Sequence, residues 1–447
     1  MEDKLVITGG KKLSGEIEVA GAKNAVLKQM AAALLFPGGV CIRNVPNLTD
    51  VYSMAEVLEF LGAKVKFRSN LLEIDSSDIS GSFAPHELVN KLRASFVVLG
   101  PLLARFHEAK VALPGGCQIG TRKLDLHEKG LKALGAELKL DQGYMIAHAP
   151  KLTGSKIYLD LPSNGATENI MIASVLAEGE TIIENAACDP EIVDLANFLI
   201  SIGAKIQGAG THQITIHGVR QKDLHSSDYT SISDRLEAGT YLTAAVSSGG
   251  KIVLHNVDVE HIQATVSKLQ EIGVDIQTNG SRTISAKANL KRFKSTDIST
   301  GWYPGFPTDM QSLITVPLTI AVGTSTIKEN IYEERFAHVS ELVRMGADIK
   351  VSNNVAVVNG VEKLSGTKVR GQDLRGAASL VIAGLIAEGK TEITGLDHID
   401  RGYENMVQKL KSLGADVIRT KNISGDTSAS DDEPHIEKQV KDKNTKV

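Results

Sequence analysis

Cysteine is scarce in this chain of 447 residues, with only Cys41, Cys117 and Cys188 present. An odd number of widely separated thiols argues against a disulfide framework and fits a reducing compartment. A basic excess is missing too. Lys and Arg number 49 against 53 Asp and Glu, a net charge of −4, with both signs scattered along the chain. General nucleic-acid binders carry a basic stripe, so no nucleic-acid partner is expected, although local cationic clusters for an anionic ligand stay open. Long apolar runs are also absent. The richest, Ala31 to Phe36, stops at Pro37-Gly38-Gly39, well short of the roughly 18 residues a membrane helix needs. Met1-Glu2-Asp3-Lys4 has no apolar run behind a basic start, so no secretory leader and a cytoplasmic location are expected. Apolar residues make up 42% and charged residues 23%, a globular composition, and the length suggests two or three domains.

One pattern recurs through the sequence. An amphipathic helix is followed by an apolar-Gly-Ala-like turn and a β-branched strand. Its glycines are Gly62, Gly135, Gly203, Gly273, Gly346 and Gly414, spaced by 68 to 73 residues. Each stands where a helix C-cap is expected, because glycine takes positive φ without a Cβ penalty. Upstream lies a more apolar helix, such as Ile170 to Leu176 or Ala377 to Ala383. A helix apolar on all sides belongs in an interior. The spacing therefore predicts six α/β units with helices inside and sheets outside, divided into two domains of three. Beyond Thr420 the pattern stops, and 421–447, poor in apolar residues, is expected to be a disordered tail.

Polar residues gather where the apolar helix of each unit begins: Lys23-Asn24, Arg93, Ser163-Asn164, Asp234-Arg235, Asp309, and Asp373 with Arg375. Helix capping by itself accounts for Ser163, Asp234 and Asp373. It does not account for Lys23, Arg93 or Arg375, since a cation opposes the macrodipole there. Such a cation makes sense when an anion settles between it and the helix end, which points to phosphate or carboxylate ligands. A second set, suited to the same anions, lies after the central strands: Cys117 to Arg122, Arg335 near the junction of the fourth and fifth units, and Arg401 after His398-Ile399-Asp400.

The stretch Leu113-Pro114-Gly115-Gly116-Cys117-Gln118-Ile119-Gly120-Thr121-Arg122 breaks the repeat. It replaces the Asn-containing connection of other units with three glycines and a proline, so it can approach a ligand closely. Cys117 is expected to be accessible, with Arg122 favouring its thiolate. Cys41 and Cys188, beside strand-like segments, are expected to be inert core residues. A phosphate-cradling loop without thiol chemistry is the alternative reading of the glycines.

Taken in order, Lys23-Asn24, Pro114-Gly115-Gly116-Cys117, Phe306-Pro307-Thr308-Asp309, Asp373-Leu374-Arg375 and His398-Ile399-Asp400-Arg401-Gly402-Tyr403-Glu404 resemble the UDP-N-acetylglucosamine 1-carboxyvinyltransferases, enolpyruvyl transferases. The likeness runs from about Lys4 to Arg419. It implies an inside-out α/β barrel of two domains, 22–231 and 1–21 joined with 232–420, with a cleft between them. It implies transfer of enolpyruvyl from phosphoenolpyruvate to the 3′-hydroxyl of UDP-N-acetylglucosamine with release of phosphate. That is the first committed step toward peptidoglycan, tied to cell-wall growth, cell shape and division. By the resemblance, Cys117 is the proton donor to the methylene carbon and Asp309 the base for the sugar hydroxyl. Lys23, Asn24, Arg122, Arg335, Arg375 and Arg401 meet phosphoenolpyruvate, Lys23 and Arg401 also taking part in catalysis. Asn24, Arg93, Arg122, Lys123, Leu124, Asp125, Leu126, Ser163, Asn164, Asp309 and Ile331 meet the UDP-sugar. Asn164 departs from the apolar Val expected in many relatives. No metal or organic cofactor is implied, and the epoxide fosfomycin is implied as a covalent inhibitor at Cys117. The alternatives are the shikimate-pathway enolpyruvyl transferase, which lacks such a cysteine loop, and a silent paralogue that only binds UDP-sugars.

Overall fold

The structure, a computed structural model, describes residues 3–114, 124–288 and 292–420. The loop residues Cys117, Arg122 and Lys123, and the tail 421–447, lie outside the described residues. Among the described residues the strands form six sheets of four strands each. All six share one plan, seen in the third repeat. A short edge strand, Lys156–Tyr158, runs parallel to Glu180–Glu184. Gln213–His217 then pairs antiparallel to Glu180–Glu184, and Lys205–Gln207 closes the far edge. Along the chain the repeat reads edge strand, inner helix, central strand, outer helix and hairpin.

The repeats follow from burial. The inner helix Arg235–Ser247 buries every residue from Leu236 to Ser247, and Leu374–Ile386 buries every residue from Arg375 to Leu385. The outer helix Gln263–Glu271 buries only Thr265, Val266 and Leu269, one stripe against its sheet. At the end of each outer helix the six glycines take φ between 91° and 108°, as the caps required. Helices are thus packed inside and sheets outside, as the sequence pattern predicts.

Buried apolar side chains fall into two clusters. One runs from Val26 to Leu224. The other joins Leu5 to Val19 with Leu236 to Val417. The chain crosses between them twice and exchanges strands as it does so. Ser14–Glu18 is the edge strand of the fourth repeat, beside Lys251–His255. Ser227–Thr230 is the edge strand of the first, beside Gly39–Arg43. Lys4–Thr8 completes the sixth sheet between Lys390–Thr394 and Asp416–Thr420. The two crossings touch: Ala22 N donates to Ile232 O at 2.8 Å and Asp234 N to Ala20 O at 2.8 Å, with Gly21 and Ser233 bridged.

The two other cysteines differ from the expectation of core residues. Cys41 and Cys188 are both half-buried. Val40 and Ile42 face inward, so the period of two turns Cys41 out toward Asp228 and Glu73. Cys188 lies in the loop before Pro190–Ser201, its Sγ 3.5 Å from His212 Nδ1. Burial, reinforced by Asp228 and Asp189 respectively, pushes both thiols up, so neither is an activated nucleophile.

The crossing leaves no room for a side chain at Gly21, where a Cβ would lie 1.5 Å from the Asn44 carbonyl oxygen. Gly21→Ala should destabilise the protein by about 2 kcal/mol or more, lowering the melting temperature by several degrees. Gly81→Ala, with nothing within 4 Å of its Cβ, should melt like the parent in the same calorimetric scan. Equal melting of the two variants would contradict the tight crossing.

Candidate active site

Because the inner helices are buried along their length, only their ends reach a surface. The N-terminal ends of all six meet in one cavity of about 560 Å³, lined by Lys23, Arg93, Asn164, Arg235, Asp309 and Arg375 among others. That volume falls in the range of small-molecule sites. Six positive helix ends converge on it. Its described lining also holds eight Lys or Arg side chains against five carboxylates, so its charge favours an anion.

Most of these cations are held by particular carboxylates. Lys23, the first residue of Lys23–Ala32, donates from Nζ to Asp50 Oδ2 at 2.9 Å. Arg401, from the opposite core, donates from Nε to Asp50 Oδ1 at 2.8 Å. Asp50 is almost fully buried and so joins one cation from each side of the cleft. Burial pushes the Lys23 amine down, Asp50 opposes that, and Arg375 and Arg401 add to the lowering. Asp309 is shared by two arginines. Arg335 Nη2 lies 2.6 Å from Oδ1, and Arg375 donates from Nε to Oδ2 at 3.2 Å. Arg375 Nη1 also donates to the Tyr403 hydroxyl at 2.8 Å. Arg235 differs from these. It is held, largely covered, by Asp189 at 2.9 Å and Glu191 at 3.0 Å, a link between the cores whose charge is already met by two carboxylates.

The structure brings together Lys23, Asn24, Arg93, Leu124, Asn164, Asp309, Ile331, Arg335, Arg375 and Arg401 at the cavity. Ser163, Asp125 and Leu126 do not line it. Ser163 caps Asn164–Ser174 by accepting from Ala166 N, Asp125 is exposed at the start of its helix, and Leu126 packs against the core. Asp234 and Asp373 likewise cap their helices. The side chain of Asn164, where an apolar residue was expected, bonds Asp189 and favours its charged form against burial. Asp50, Asp189, Glu191 and His127 were not singled out by the sequence. Each acid lies within the first turn of a helix or just before it, where a carboxylate reads as a cap.

Comparison with known proteins accords with this geometry. Residues 7–410 match the family model described as EPSP synthase (3-phosphoshikimate 1-carboxyvinyltransferase). Of solved structures, the enolpyruvyl transferase NikO from Streptomyces tendae superposes with a TM-score of 0.85 at 26% identity, over 94% of this chain and 99% of that one. EPSP synthase from Acinetobacter baumannii superposes with a TM-score of 0.72 at 16% identity, over 94% and 100%, a likeness of fold alone. Fold and site therefore define a transferase of the carboxyvinyl class. UDP-N-acetylglucosamine 1-carboxyvinyltransferase 2 of Carboxydothermus hydrogenoformans is 50% identical over 93% of this chain and 99% of its own length. UDP-N-acetylglucosamine 1-carboxyvinyltransferase 1 of Caldanaerobacter subterraneus subsp. tengcongensis is 50% identical over 94% and 100%. The chain belongs to the family of UDP-N-acetylglucosamine 1-carboxyvinyltransferases.

His127 gives the site a measurable signature. Its ring stacks edge-on against Phe96 at 5.4 Å and its Nδ1 lies 3.1 Å from Asn169 Nδ2. Burial, with Arg93 and Lys28 nearby, lowers its pKa to about 4. A depressed value means the fold favours neutral imidazole. The stability this contributes is present above about pH 6.5 and is lost as pH falls toward 4. The His127 ring resonance, assigned by its loss in His127→Gln, should titrate near pH 4. A midpoint near 6.5 would show a solvated ring instead.

Proposed function

We propose that the chain transfers enolpyruvyl from phosphoenolpyruvate to the 3′-hydroxyl of UDP-N-acetylglucosamine, releasing phosphate. The observation that carries this reading is the paired arrangement in the cavity. Lys23 and Arg401 share Asp50, and Arg335 and Arg375 share Asp309, around the cavity on which the inner-helix ends converge. Phosphoenolpyruvate carries two anionic groups, and fixed cations can hold both while charge develops in a tetrahedral phospholactyl ketal. Asp309 takes the proton of the sugar hydroxyl, whose oxygen attacks the enol carbon. Cys117 gives a proton to the methylene carbon. The ketal then loses phosphate together with one proton of its methyl group, which returns to the Cys117 thiolate, and this leaves the enolpyruvyl ether. Lys23, Asn24, Arg122, Arg335, Arg375 and Arg401 are assigned to phosphoenolpyruvate. Asn24, Arg93, residues 122 to 126, Ser163, Asn164, Asp309 and Ile331 are assigned to the UDP-sugar, Ser163, Asp125 and Leu126 through backbone or closure contacts.

In this reading the two cores are two domains, 22–231 and 1–21 with 232–420, supported by the double crossing at Gly21 and Ser233. The reaction belongs to the cytoplasmic stage of peptidoglycan precursor synthesis, and so to wall growth and cell division. Among the described residues no helix is long and apolar enough to cross a membrane.

Phosphate release measured with phosphoenolpyruvate and each acceptor tests the proposal. Turnover with UDP-N-acetylglucosamine and not with shikimate 3-phosphate is expected. The opposite preference, or binding of the UDP-sugar without turnover, would sink it. Asp309→Asn should lower kcat by about a hundredfold or more, the usual scale for a lost general base. Fosfomycin should add one adduct by intact mass, absent in Cys117→Ala. An adduct that persists in that variant would move the reactive thiol elsewhere.

A further inference from the structure

The repeat supplies an internal standard for reading its own exceptions. In the first, third and fourth units the residue leaving the central strand is an asparagine with left-handed backbone: Asn44, Asn185 and Asn256, at φ 59°, 52° and 56°. Each does one job. Its Nδ2 donates to the carbonyl at the end of the unit's edge strand, at Ser231 (3.0 Å), Leu159 (2.8 Å) and Val19 (2.8 Å). In the fifth unit Asn330 does this job, donating to Thr300 O at 2.8 Å. It stands one residue later than its counterparts, because Glu329 intervenes after the strand Thr324–Lys328.

Glu329 is 1% exposed, and its surroundings are built for a carboxylate. Its backbone is held on both sides by Asn354, whose carbonyl accepts from Glu329 N at 2.8 Å and whose Nδ2 donates to Glu329 O at 3.0 Å. Oε1 accepts from Thr300 Oγ1 at 2.9 Å, Ile331 N at 2.8 Å and Tyr332 N at 3.1 Å. Oε2 accepts from Thr308 Oγ1 at 3.0 Å. The carboxylate is thus surrounded by neutral donors, and its link to positive charge runs through Thr308. A carboxylate buried in this way costs free energy that a polar or apolar residue would avoid. Its neighbours show what it does. Ile331, Tyr332, Thr308 and Arg335 all line the cavity. With its proton committed to Glu329, the Thr308 hydroxyl faces Arg335 as an acceptor, and Arg335 Nη1 donates to it at 2.9 Å. The other amino group of Arg335 holds Asp309 at 2.6 Å.

We infer that Glu329 is a positioning residue with two arms. One arm fixes the backbone at Ile331 and Tyr332, on the UDP-sugar side. The other, through Thr308, aims Arg335 at phosphoenolpyruvate and holds it against Asp309. This inference rests on the enzymatic reading above for its substrates, but not for its geometry.

The arms are separable by mutation. Thr308→Val removes only the second and should raise KM for phosphoenolpyruvate about tenfold, the loss of one hydrogen bond to a charged group, with KM for UDP-N-acetylglucosamine within twofold of the parent. Glu329→Gln places three donors on one amide oxygen and should raise both KM values about tenfold, with kcat falling less than threefold. The double variant should be no worse for phosphoenolpyruvate than Glu329→Gln alone, since both act through one contact. Peptide deuterium uptake across 329–335 should rise in Glu329→Gln and stay at the parental level in Thr308→Val. Unchanged KM values, a fall in kcat alone, or losses that multiply in the double variant would overturn the inference. Parent protein without turnover would instead refute the enzymatic reading, and deuterium uptake would still decide whether Glu329 holds the loop, with unchanged uptake counting against it.

Discussion

A helix buried on every side can meet a ligand only at its ends, and that constraint organises this molecule. The inner helices Arg235–Ser247 and Leu374–Ile386 leave almost no flank uncovered. Sheets enclose them on the outside, so chemistry has nowhere to sit but at their termini. The ends that converge are N-terminal ends, which carry positive potential and unsatisfied N–H groups. The six-unit plan therefore selects an anionic ligand before any side chain is considered.

The side chains then solve a second problem, that of keeping cations buried without a ligand present. Lys23, Arg335 and Arg375 are each under a tenth exposed, and an unpaired charge at that depth would be costly. Asp50 and Asp309 supply the counter-charges. Both are shared between two cations, so an arriving anion finds sites already formed rather than sites that must be assembled. Asp50 has a further consequence because its two partners come from different cores: the same carboxylate that neutralises the site ties its two halves together. Arg235, with Asp189 and Glu191, makes a second tie of the same kind in the lining of the same cavity.

Much of this was legible in the residues alone. The glycines at 62, 135, 203, 273, 346 and 414 marked the repeats because a backbone of positive φ is a local demand that few residues meet. The concentration of Lys23, Arg93 and Arg375 at helix starts was legible because it runs against the macrodipole. Asp50, His127 and Glu329 were not. An acid near a helix start reads as a cap, and a histidine inside an amphipathic helix reads as surface or core. The role of Glu329 depends on a register that exists only in the fold, where Asn330 does the work of Asn44, Asn185 and Asn256 one residue late. Cys41 differs from the core residue expected for a related reason: the residues around it specify a strand, but not which of its two faces turns inward.

The repeat, the helix caps, the inner and outer helices and the sign of the charge at the helix ends are all written in the order of residues, because each depends on neighbours a few residues away. Which sheet receives Ser14–Glu18 and which receives Ser227–Thr230 follows from the folded arrangement and from nothing local, since either short strand satisfies the same edge hydrogen bonds. The same arrangement brings Lys23 and Arg401, 378 positions apart, to one carboxylate. Those pairings are set by where the two cores come to rest on each other, and burial, not local preference, makes the difference between a cap and a counter-ion.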